Sequence, residues 1–132
     1  SDEVAGLRLL KSVHGTYLRG TPLSEGGAVD MIDGMGTCEH WTIHKDTEKI
    51  MLTPYCSANN LLYNFLHANS DSSIDLKPGF NFWTPYNNND GSWSFRSASE
   101  GWLRADRNGS VYTVHEELDG SERFFLEKWT GE

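Results

Sequence analysis

The chain has few of the features that mark a membrane segment, a nucleic-acid binder or a helical bundle. No apolar run approaches the roughly 20 residues that span a bilayer, and no window sustains apolar residues at i, i+3, i+4 and i+7. Basic side chains are scarce: 11 Lys and Arg face 19 Asp and Glu, a net charge of −8. They are also scattered, so phosphate backbones and anionic membranes are poor partners. With two cysteines, Cys38 and Cys56, the chain has no disulfide framework. Free buried thiols and a single bridge both remain open for them. The opening Ser1-Asp2-Glu3-Val4-Ala5 lacks signal-peptide features, which suggests a cytoplasmic protein, although a mature secreted chain would read the same way.

Catalytic signatures are equally thin. His40 and His44 share one face of a strand, but two imidazoles fall short of a zinc site. The run Asn87-Asn88-Asn89-Asp90-Gly91 offers oxygen ligands without the late bidentate Glu of a calcium loop, and reads as a polar hairpin tip. There is no Gly-x-Ser-x-Gly elbow, phosphate loop or dinucleotide fingerprint. The expectation is therefore a protein that is not an enzyme and uses no cofactor or metal.

What the chain does contain is a threefold internal repeat, with a period of about 42 residues. The segment from Leu10 to Arg19 lies over Phe95 to Arg104 without a gap. A middle copy, Leu52 to Tyr63, fits after an insertion, with Leu61-Leu62-Tyr63 standing for Tyr17-Leu18-Arg19. Short alternating runs follow, Ala28–Met31, Ser73–Leu76 and Ser110–Thr113, and each copy closes on an aromatic segment at Trp41, Trp83 or Phe125. Turn dipeptides such as Gly26-Gly27, Asn108-Gly109 and Asp119-Gly120 separate the runs.

Short alternating runs between turn residues are strands, about four per copy and twelve in all. Three four-stranded copies are too few for a propeller. Closed on a threefold axis, they make a β-trefoil, an all-β single domain over residues 1–132 with copies at roughly 7–47, 48–90 and 91–132. The expected core comprises Leu10, Leu52 and Phe95; Leu18, Leu62 and Leu103; Val29, Ile74 and Val111; and Trp41, Trp83 and Phe125.

The phrase Ser12-x-His14-Gly15-x-Tyr17-Leu18, followed by Val29 and Glu39-His40-Trp41, resembles the fascin-like branch of β-trefoils over residues 7 to 129. The Gln-x-Trp signature of ricin-type lectin trefoils is missing: Glu39, Asn81 and Arg123 stand two residues before the aromatic positions. Fascin resembles four such units in tandem, and the resemblance implies actin or another protein as a partner.

Strand phase offers a second reading. If Leu18 and Leu103 point inward, their neighbours point outward. Tyr17, Arg19 and Asp30 then meet on one hairpin, and Trp102, Arg104 and Tyr112 on another. In the middle copy Leu61 stands where the others have an aromatic, which predicts a weak site or none. An aromatic face beside planar hydrogen-bonding groups suits a glycan, with its C–H face and rim of hydroxyls. These six residues are the expected ligand-binding set of a lectin-like module with repeated shallow sites. The alternatives are a bland one, an Arg19–Asp30 ion pair with the rings packed under loops, and a protein-binding one, an actin-binding module that would have to dimerise to crosslink.

Overall fold

A computed structural model describes residues 4–57 and 64–128. Each alternating run forms a strand: β1 (Gly6–Ser12), β2 (Tyr17–Gly20), β3 (Val29–Ile32) and β4 (His40–Asp46) in the first copy; β5 (Lys49–Pro54), β6 (Phe65–Ala68), β7 (Ile74–Lys77) and β8 (Trp83–Asn87) in the second; β9 (Ser92–Ser97), β10 (Gly101–Ala105), β11 (Val111–Val114) and β12 (Phe124–Lys128) in the third.

Six of them close a ring. β1 pairs with β4, β4 with β5, β5 with β8, β8 with β9, β9 with β12, and β12 returns to β1. Closure leaves this barrel no free edge. The hairpins β2–β3, β6–β7 and β10–β11 form the cap. Three backbone bonds tie them head to tail: Met31 N donates to Gly109 O at 2.9 Å, Leu76 N to Gly27 O at 2.9 Å, and Thr113 N to Ser72 O at 3.0 Å. The chain is a β-trefoil.

Four hairpin turns share one construction. Backbone N–H groups of Ser12, Asn69, Asn88 and Asp106 donate to the carbonyls of Thr16, Ser73, Ser92 and Ser110, four residues on. The fourth residue of each turn has positive φ: Gly15, Gly91 and Gly109 in three, but Ser72 (φ 73°) in the other. Only glycine adopts that conformation without a steric cost.

The core is layered about the pseudo-threefold axis. Leu10, Leu52 and Phe95 are fully buried, as are Leu18, Leu66 and Leu103, and Trp41, Trp83 and Phe124. Ile74 is buried, while Val29 and Val111 lie half-buried against the cluster. Trp41 Nε1 donates to Leu18 O at 2.8 Å, and Trp83 Nε1 to Leu66 O at 3.1 Å, the same contact in two copies. These bonds seat each indole on its cap hairpin.

Two core expectations change. Leu62, with Leu61 and Tyr63, lies outside the described residues, and Leu66 takes the position related to Leu18 and Leu103. Phe125 is 38% exposed, and Phe124 fills the core in its place. Two adjacent phenylalanines satisfy a hydrophobic pattern in either register, and a one-residue slip exchanges the faces of a strand.

Candidate functional site

Structural equivalence brings three sets of outward residues to the same places on the cap hairpins. The aromatic position holds Tyr17, Phe65 or Trp102, so the middle copy carries an aromatic after all. The next outward position and its cross-strand partner are Arg19 with Asp30, His67 with Asp75, and Arg104 with Tyr112. Both predicted triads are thus brought together on adjacent strands, and their surroundings differ.

In the first copy the groups satisfy one another. Arg19 Nε and Nη2 donate to the two carboxylate oxygens of Asp30 at 2.9 and 2.7 Å, and this hydrogen bonding raises the Arg19 pKa further above its usual value. Tyr17 is 8% exposed. Its hydroxyl donates to Glu127 Oε1 at 3.3 Å, and Lys11 Nζ lies 5.8 Å from its ring centroid and 3.9 Å from Glu127 Oε2. Little of the ring is left for a ligand. In the middle copy Phe65 is buried and meets Phe80 edge-on at 5.6 Å.

The third copy is built differently. Arg104, its side chain 12% exposed, is the hub of a polar network. Its Nε donates to Asp106 Oδ1 at 3.0 Å and to the Tyr112 hydroxyl at 3.1 Å; its Nη1 donates to Asp119 Oδ1 at 2.8 Å and to Glu122 Oε2. The Tyr112 hydroxyl in turn donates to Asp106 Oδ2 at 2.8 Å. The hydrogen bond from Arg104 is the first cause that lowers the Asp119 pKa far below the usual carboxylate range, and Asp119 in turn heads the causes raising that of Arg104. Burial, then the bond to Asp106, pushes the Tyr112 phenol up.

Glu122 anchors this network from beneath. It has no exposed side-chain surface, and its Oε1 accepts from the backbone N–H groups of Leu118 and Gly120. Asp106 and Asp119, in contrast, keep part of their carboxylates in solvent, the Asp119 side chain at 60%. Arg104 thus holds two accessible acceptors in fixed positions. Trp102 stands two residues before Arg104 on the same outer face of β10, half-buried, with the Tyr86 ring 5.0 Å away at 58° and Arg96 5.8 Å from its centroid. Tyr86 is 43% exposed. An aromatic pair and a polar network thus follow one another along the outer face of β10.

Elsewhere, Val13 and Phe125 form the floor shared by two adjoining clefts of about 510 Å³ each. Asp90, Glu117, Asp119 and Arg123 rim one, which thereby adjoins the Arg104 network, and Lys11, His14 and Glu127 the other. The Asn87–Asp90 tip is internally bonded: Asn88 Nδ2 donates to Ser92 and Ser94, and Asp90 accepts from Ser92 and from Arg123 Nη1. Among the described residues no three His, Cys, Asp or Glu side chains are placed to hold a metal. Cys38 and Cys56 form a disulfide, which settles the alternatives left open for them and joins the short 3₁₀ turns Thr37–Glu39 and Tyr55–Ser57.

Sequence reasoning missed Asp106, Asp119, Glu122 and Tyr86. One signal was present. Once Phe124 replaces Phe125, the polar residue two positions before each core aromatic becomes Glu39, Asn81 or Glu122. All three bond backbone N–H groups, of Gly36, of Ala68, and of Leu118 and Gly120.

No family model and no curated protein match the chain. Solved structures do. SeviL bound to asialo-GM1 saccharide superposes with a TM-score of 0.75 at 12% sequence identity, over 95% of this chain and 98% of that one. At that identity the likeness is one of fold.

Proposed function

We propose that the protein is a non-enzymatic, lectin-like carbohydrate-binding module whose principal site is the outer face of β10 and β11. The observation that carries this is the Trp102–Tyr86 aromatic pair followed along β10 by Arg104 and the carboxylates it holds in place. An apolar sugar face rests against the rings, while Asp106 and Asp119 accept from hydroxyls without having to reorganise. The likeness to the saccharide-bound SeviL supports the reading at the level of fold, which by itself does not fix function. In this reading the first copy contributes little, because Arg19, Asp30 and Tyr17 are already satisfied internally.

The fascin-like resemblance keeps an actin-binding role as the alternative, and the charge distribution speaks against it. Of the four basic residues the repeat could gather, Lys11, Arg19, Arg96 and Arg104, two are bound to carboxylates (Arg19 and Arg104) and Lys11 lies beside Glu127, which leaves Arg96 alone. A −8 protein without a free basic patch meets like-charge repulsion on an acidic filament. The Cys38–Cys56 bond also fits an oxidising compartment better than the cytosol.

A glycan array run beside actin co-sedimentation at physiological salt tests both readings. Glycan binding that Trp102→Ala abolishes, in a variant that remains folded, is the expected result. Pelleting with filaments, and no glycan bound, would overturn it.

A further inference from the structure

The same position of the trefoil carries a cation in two copies, and only one of them is neutralised. Lys11 on β1 and Arg96 on β9 are related by the pseudo-symmetry, each facing the aromatic of the following strand, Tyr17 or Trp102, at 5.8 Å. On the other side Lys11 meets β12 and Arg96 meets β8, where Glu127 and Tyr86 occupy equivalent places. Glu127 approaches Lys11 to 3.9 Å and also takes the Tyr17 hydroxyl. Tyr86 supplies no charge. Arg96 is exposed, its direct cross-strand neighbours are Thr84 and Trp102, and among the described residues no carboxylate stands within ion-pair distance of it.

Among the described residues Arg19, Arg104 and Arg123 are tied to carboxylates, while exposed Arg107 is not; what sets Arg96 apart is the aromatic ring it faces. The unpaired guanidinium lies where a ligand resting on Trp102 would touch it. Arg104 and its carboxylates stand two residues further along β10. The outer face of the third copy therefore runs from a free cation through an aromatic wedge to two fixed carboxylates. A neutral sugar has no use for the first. A sugar bearing a carboxylate or a sulfate ester can place that group on Arg96 and its hydroxyls on Asp106 and Asp119. In the reverse orientation the anion would meet those carboxylates and be repelled, so the face also sets a direction.

We propose that the third-copy site selects anionic glycans and that Arg96 is the residue that pairs with their acidic group. Guanidinium matches both carboxylate and sulfate, since its fork of N–H donors bonds two oxygens at once. The overall charge of −8 does not forbid this, because at physiological salt the field of distant carboxylates is screened beyond about 8 Å.

The inference rests on the carbohydrate reading above, and its test separates the two. Matched sets of lactose and N-acetyllactosamine, each neutral, sialylated and sulfated, are bound to the wild-type protein, Arg96→Gln and Trp102→Ala. The sialylated and sulfated arms distinguish the two sources of negative charge. Acidic forms should bind roughly tenfold tighter than their neutral cores, the scale of one exposed charge-assisted pair. That preference, read as the ratio of acidic to neutral affinity within each protein, should fade with added salt and vanish in Arg96→Gln. Binding that needs Trp102 but ignores the acidic group would overturn this inference and leave the carbohydrate reading standing. No binding of any member of the sets would overturn both.

Discussion

In the first copy Tyr17 lies under Lys11 with its hydroxyl on Glu127, and Arg19 is spent on Asp30; in the third, Trp102 leans on Tyr86 in the open, and Arg104 props up two carboxylates that still face solvent. Both faces come from the same hairpin in the same register. The difference teaches that the trefoil supplies the positions while a few substitutions decide whether polar groups close on each other or stay presented. Arg19 meets a single carboxylate, Asp30, through two bonds, whereas Arg104 gathers Asp106, Asp119 and Glu122 and so fixes several acceptors in one place.

The sharpest way to break this comparison is to remove each arginine. Arg104→Ala leaves Glu122, with no exposed surface, without its counter-charge, and should cost about 3–5 kcal/mol in chemical denaturation. Arg19→Ala leaves only Asp30, 42% exposed, and should cost less than about 1 kcal/mol. Equal losses would mean that the two networks are not different in kind.

Acid sharpens it further. Asp119 is held below its ordinary pKa, first by the Arg104 hydrogen bond, so it binds its proton more weakly folded than unfolded. Its contribution is in place above the unfolded value near about 4 and is lost as pH falls toward the depressed folded one. A denaturation series from pH 6 to 2 should therefore show a stability decline below about pH 4 that is shallower in Asp119→Asn. An unchanged slope would remove Asp119 from the network.

The smallest effect lies in the middle copy. Ser72 holds a left-handed conformation at φ 73°, where the corresponding turns use Gly15, Gly91 and Gly109. Ser72→Gly should raise stability by up to about 1 kcal/mol, the steric relief less the added freedom of the unfolded chain. Gly109→Ala should do the reverse. Destabilisation by Ser72→Gly would show that the serine side chain does more in that turn than the backbone geometry indicates.

Most of the fold was legible in the sequence because its period repeats three times, so an apolar position in one copy could be checked against two others. The check failed where the pattern was degenerate. Phe124 and Phe125 both satisfy it, and the leucines of the middle copy offered a register that the paired strands do not use. The candidate site was legible only in part. Trp102, Arg104 and Tyr112 follow from strand phase, but Asp106, Asp119 and Glu122 come from turns and loops, where no periodicity aims a side chain. Nor could strand phase show that Arg104 would gather three carboxylates and Arg19 only one, since that depends on what the loops deliver.

The central claim is that the third-copy face, and not the first, receives the glycan. Amide chemical shifts recorded while a glycan identified on the array is titrated in would test it most directly. The account predicts perturbations concentrated at Trp102, Arg104, Asp106 and Tyr112, with Asp119 and Tyr86 following and Tyr17, Arg19 and Asp30 unmoved. Shifts centred on Arg19 and Asp30, or confined to the Asn87–Asp90 tip or to the clefts over Val13 and Phe125, would contradict it.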